Sequence, residues 1–119
     1  MKKLSVKEIF EKRIQDTEIT MIASSREPFS VFEEYDAKTH DKLHEVYRLL
    51  FQMFNDCYTD ISAYIHLFSD HGQLTSDEKT SLLKQWTNSR DNCIKHLETR
   101  VNEMSDKYDI ESIEFYSEY

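Results

Sequence analysis

Residues 41–68 read DKLHEVYRLLFQMFNDCYTDISAYIHLF, and this stretch decides the fold. Leu43, Tyr47, Leu50, Phe54, Cys57, Ile61, Tyr64 and Phe68 follow one another at intervals of four and three residues. An α-helix turns once in about 3.6 residues, so this spacing lines all eight side chains along one seam. Phe51, Tyr58 and Ile65 stand one position beyond the seam, seven residues apart, and widen the apolar arc. A helix with so broad an apolar side packs against more than one neighbour. No Pro or Gly interrupts the run. It predicts the central helix of a small bundle.

Both ends of that helix can be read from the flanking residues. Downstream, Asp70-His71-Gly72 has the form of a helix stop with Gly in the left-handed position, and Leu74 is placed to close on the last turn. Thr75 and Glu78 form a capping box and open a third helix over about residues 76–107. Leu82, Leu83, Trp86, Cys93, Ile94, Leu97, Val101, Met104 and Tyr108 are its apolar set. So short a connection between two long helices makes an antiparallel hairpin. Upstream, Ser30 and Glu33 have capping-box spacing, and Phe32 and Tyr35 run at helical spacing into Thr39 and Leu43. The second helix is therefore expected over about residues 31–70, with a start near Thr39 as the alternative.

Ser5 and Glu8 form another capping box, with Leu4 and Ile9 at the hydrophobic-staple positions. They open a first helix over about residues 6–23, which the run from Ala23 to Pro28 ends. After the hairpin, Ile110, Ile113 and Tyr116 suggest a short acidic helix over about residues 109–118. The chain reads as one all-α domain, residues 1–119: a long helical hairpin buttressed by a shorter N-terminal helix and a short C-terminal one, a three- to four-helix bundle. With one Gly, one Pro and three Ala, the turn signals of a β-sandwich or barrel are missing.

Composition narrows the function classes. There is no run of eighteen apolar residues to span a membrane, and the basic N-terminus lacks the apolar stretch of a signal peptide. Cys57 and Cys93, far apart at apolar helix positions, fit a reducing cytoplasm. A net charge of −8 argues against direct nucleic-acid binding, which needs a basic stripe. Lys outnumbers Arg, and scarce Ala, Gly and Pro suggest an AT-rich bacterial or phage genome.

Few constellations could carry chemistry. His40 and His44 stand four apart and could share a metal, but the inward positions of their helix offer no Glu partner. Two surface imidazoles are the simpler reading. Cys93, His96 and Cys57 could approach across the hairpin, yet a third orienting group and a substrate loop are missing. Inert core thiols fit better. Trp86 reads as core. With its single Gly placed in the hairpin turn, the chain has little backbone for an oxyanion hole or phosphate cradle. No catalytic residue and no cofactor is expected.

What remains is binding to another protein: a small acidic cytoplasmic inhibitor, regulator or assembly partner. Two surfaces are candidates. One is the flank of Phe51, Tyr58 and Ile65, which a second copy could also cover in a homodimer. The other is the C-terminal segment, where Asp109, Glu111, Glu114 and Glu118 alternate with Phe115, Tyr116 and Tyr119. The same acids could instead mimic nucleic acid and block a basic groove of a nucleic-acid-binding protein.

Overall fold

Ser5 begins the first helix as the sequence indicates. Its hydroxyl accepts from the Glu8 amide at 3.1 Å, and the Glu8 carboxylate accepts from the Ser5 amide at 3.1 Å. The structure, a computed structural model describing residues 3–116, contains four helices. They are α1 (Val6–Ser24), α2 (Arg26–Glu33), α3 (His40–Asp70) and α4 (Ser76–Lys107), and there is no strand among the described residues. Thr75 and Glu78 repeat the reciprocal cap at the start of α4. Gly72 takes a positive φ of 74°, and the Gln73 amide donates to the Phe68 carbonyl at 2.9 Å. That is the left-handed stop of a Schellman motif, and it folds the hairpin of α3 and α4.

Two boundaries differ from the sequence reading. The helix expected from residue 31 begins at His40, where Thr39 accepts from the Lys42 amide at 3.3 Å. The apolar spacing that joins Phe32 to Leu43 belongs to two helices. Ser30 and Glu33 lie inside and at the end of α2, so their capping-box spacing caps nothing. Pro28 explains the separation of α1 from α2. Its ring would clash with the carbonyl of Ser24, four residues back, which ends α1. In α2 it occupies the first turn, where a missing N–H costs nothing. Ser25, fully buried at the joint, donates its hydroxyl to the Ile22 carbonyl at 2.7 Å.

α1 runs beside α4 in the same direction, and α2 follows it past the joint, packing on α3 and reaching α4 through side chains. Glu11 accepts from Gln85 at 2.9 Å, and Glu18 accepts from Ser89 and Asn92 at 3.1 and 3.2 Å. Further along, the Arg100 guanidinium lies over the Phe29 ring at 5.4 Å, and Glu33 accepts from Lys107 and Tyr108 at 2.9 and 2.6 Å. In the sequence reading, the hairpin is buttressed by the first helix and a C-terminal one. Here α2 takes that place, because Phe29 and Phe32 are fully buried.

The second difference is the C-terminal segment. No helix forms over residues 109–116. Asp109 takes a left-handed φ of 53°, and the Ile110 amide donates to the Ser105 carbonyl at 2.9 Å, which closes α4. Ser105, buried, donates its hydroxyl back to the Ile110 carbonyl at 2.6 Å. Beyond that stop the chain crosses α3 as an extended strap, with Ile113 buried beneath it. An isolated helix of this length would be marginal, while the strap fixes itself through its rings.

The core seam of α3 also turns. Leu43, Tyr47, Leu50, Phe54 and Ile61 are buried as expected, but Tyr64 is 56% exposed while Ile65 is 0%. A straight helix falls behind a seven-residue repeat by about 20° per heptad. Three heptads beyond Leu43, the position one residue later faces the core. The molecule measures 53 × 33 × 16 Å, a slab rather than a cylinder. No helix among the described residues is long and apolar enough to cross a membrane.

Candidate docking groove

The drift of that seam leaves an apolar face uncovered. Ile9 of α1 and Met53, Tyr64 and Phe68 of α3 are between 38% and 56% exposed. They line an open groove between α1 and α3 whose floor is Phe10, Met21 and Ile61. The groove consists of two neighbouring clefts of about 700 and 560 Å³ that share Ile9, Arg13, Thr17 and Cys57. It exists because α1 packs chiefly along α4, leaving its other flank unmatched by α3. The Phe10 and Phe68 rings meet edge to face at 5.2 Å and close the groove at the hairpin end.

Charge is divided across the groove. Arg13 and Lys12 stand exposed on the α1 rim, accompanied by Asp16, and Asp60 and Asp56 stand exposed on α3. None of these five makes an ion pair among the described residues. Glu11 meets Gln85 of α4 while Tyr58 meets Trp86 and Thr87, so Arg13 on α1 and Asp60 on α3 stand within about one helical turn of the same level. Burial, then the charge of Asp60, pushes the Cys57 thiol up from its ordinary value. Cys93 is buried and its thiol is pushed up to about 12 by burial, with Glu18 and Cys57 adding to it. Both thiols are free and protonated near neutral pH, Cys93 in the helical core and Cys57 half-buried on the groove wall.

The flank of Phe51, Tyr58 and Ile65 is not a free surface. Phe51 lies under the Tyr116 ring at 4.8 Å, and Ile65 is enclosed by the bundle. Tyr58 is half-buried, its ring 5.8 Å from that of Trp86 and 4.2 Å from the Arg90 guanidinium. Its hydroxyl pairs with Thr87 at 3.1 Å. Trp86 is core, and its indole N–H donates to the Tyr58 carbonyl at 2.9 Å.

The strap divides its side chains. Asp109, Glu111 and Glu114 face solvent, while Phe115 and Tyr116 pack on Tyr47 at 5.1 and 5.2 Å. Glu118 and Tyr119 lie outside the described residues. His40 and His44 stack with ring centroids 6.3 Å apart, and a cavity of about 660 Å³ separates them from Glu111 and Glu114. Among the described residues, no three His, Cys, Asp or Glu side chains are close enough together to hold a metal.

The groove was not among the surfaces read from the sequence. Its signal was present: Met53 and Tyr64 are large apolar side chains that a straight helix rotates away from the axis of the Leu43 seam. Set against known proteins, the chain matches no protein family, no curated protein and no solved structure.

Proposed function

We propose that this chain is a non-enzymatic protein-binding module that acts through the groove between α1 and α3. The observation that carries the reading is the uncovered apolar face: four large side chains from two helices, contiguous along one open channel. A patch of this kind on a small protein marks an interaction surface. Its shape suits a helix laid lengthwise, with an apolar stripe seated on Ile61 and Phe10 and charged flanks on both rims. Binding of this type regulates or inhibits a partner by occupying the partner's own apolar face, in keeping with a small acidic cytoplasmic protein of bacterial or phage type.

Affinity capture with two double variants tests the reading. Met53→Asp with Tyr64→Asp places charge on the groove wall at exposed positions and leaves the core intact. Glu111→Lys with Glu114→Lys reverses the strap acids. A protein retained by the wild type and the strap variant, and lost with the groove variant, supports the groove. Loss with the strap variant alone would move the binding surface to the acids.

A further inference from the structure

We infer that the groove pairs with the same groove of a second copy, around a two-fold axis running along it. The inference rests on the groove being a protein-binding surface and names its occupant. Charge and level supply the argument. A two-fold axis along the groove turns α1 of one copy over α3 of the other and keeps every residue at its own height. Glu11 and Tyr58 both meet α4 at residues 85–87, which puts Arg13 and Asp60, each two residues on, within about one helical turn of the same height. The rotation therefore sets Arg13 of each copy opposite Asp60 of the other, twice by symmetry. Neither residue has an ion-pair partner within the chain's described residues.

The apolar centre fits the same operation. Tyr64 would close over Ile9 and Met53 over Thr20 of the facing copy, and Cys57, at the junction of the two clefts, would come close to its own symmetry mate. With nineteen residues, α1 spans about 28 Å. A face that long and two helix diameters wide buries about 600 Å² per copy, near the lower end of specific interfaces. The pairing is thus expected to be reversible, appearing as concentration rises. Asp16, near Asp56 in the pairing, adds some repulsion and points the same way.

Sedimentation velocity from micromolar to millimolar protein, together with bis-maleimide cross-linking, tests the arrangement. Wild type should form dimers as concentration rises and give a cross-linked dimer that Cys57→Ser abolishes. Arg13→Asp should weaken the dimer about tenfold, because a pair worth a few-fold occurs twice. Asp60→Arg should do the same, and the double variant should restore dimer and cross-link. Both positions are exposed and unpaired, so circular dichroism melting should match wild type. A monomer at every concentration would overturn the pairing, as would a dimer indifferent to both charge reversals. Capture of a different protein that is lost in the Met53/Tyr64 variant would still support the groove reading, which separates the two failures.

Discussion

The Tyr116 amide donates to the hydroxyl of Tyr47 at 2.8 Å, and this bond ties the C-terminal strap to the buried face of α3. Tyr47 is fully enclosed and meets the rings of Phe51, Phe115 and Tyr116. One hydroxyl thus links a helix core position to a backbone that has no ladder of its own. The strap is part of the fold: Ile113 is buried and the rings of Phe115 and Tyr116 lie against Tyr47, while its acids face solvent.

Tyr47→Phe keeps the ring and removes the acceptor. The Tyr116 amide then loses its partner at a cost of about 1 kcal/mol. Hydrogen exchange at Tyr116 should accelerate while exchange in α4 stays unchanged. Deleting residues 109–119 exposes Tyr47, Phe51 and Ser105 together and should lower the melting temperature outright. A truncated chain that melts like wild type would show that the strap does not contribute to the bundle.

The register of α3 is tested at two adjacent positions. Ile65→Ala opens a fully buried site and should cost about 2–5 kcal/mol. Tyr64→Ala removes a side chain more than half in solvent and should cost under about 0.5 kcal/mol. Chemical denaturation of the two variants separates the straight helix from a supercoiled one, in which the costs would reverse.

This pair also shows what the sequence could and could not disclose. The helices α1 and α4, the body of α3, the hairpin and its Gly72 stop were legible because each rests on local chemistry: the caps at Ser5 and Thr75 and the unbroken spacing from Leu43. The break before His40 appeared only as the alternative start near Thr39, since Asp36-Ala37-Lys38 contains neither Gly nor Pro and Phe32 continues the spacing. What holds that loop is lysine reach: Lys38 and Lys42 donate to the Tyr35 and Ala37 carbonyls, each at 2.9 Å. The groove was hidden for a different reason. Which flank of α3 stays bare depends on α1 choosing α4, through Glu11 with Gln85 and Glu18 with Ser89. Such pairings lie over seventy residues apart in sequence.

Glu33 gives the fold a measurable acid dependence. The hydrogen bond from Tyr108, then that from Lys107, holds its carboxyl below the ordinary value of 4.5. A carboxyl lowered in the folded state adds stability that is fully present above its unfolded value. That contribution fades as pH falls below about 4.5 towards the folded value. Partial exposure keeps the effect small. Thermal melts of Glu33→Gln should show a shallower loss of stability than wild type in that window and a constant offset above it. Identical slopes would mean that the clamp between α2 and the end of α4 carries no net charge effect.

The two thiols should separate by reactivity. Cys57 lines the groove, whereas Cys93 is fully buried and pushed up to about 12. Only the thiolate reacts with an alkylating reagent, so Cys93 has almost none at neutral pH and no solvent path besides. Iodoacetamide at pH 8 should modify Cys57 first and reach Cys93 only at the rate of unfolding. Asp60→Asn removes the negative charge that raises Cys57, so its modification should quicken while that of Cys93 stays fixed. Denaturant should bring both to the same rate. Equal rates in the folded protein would place Cys93 at the surface and contradict the packing of α3 on α4.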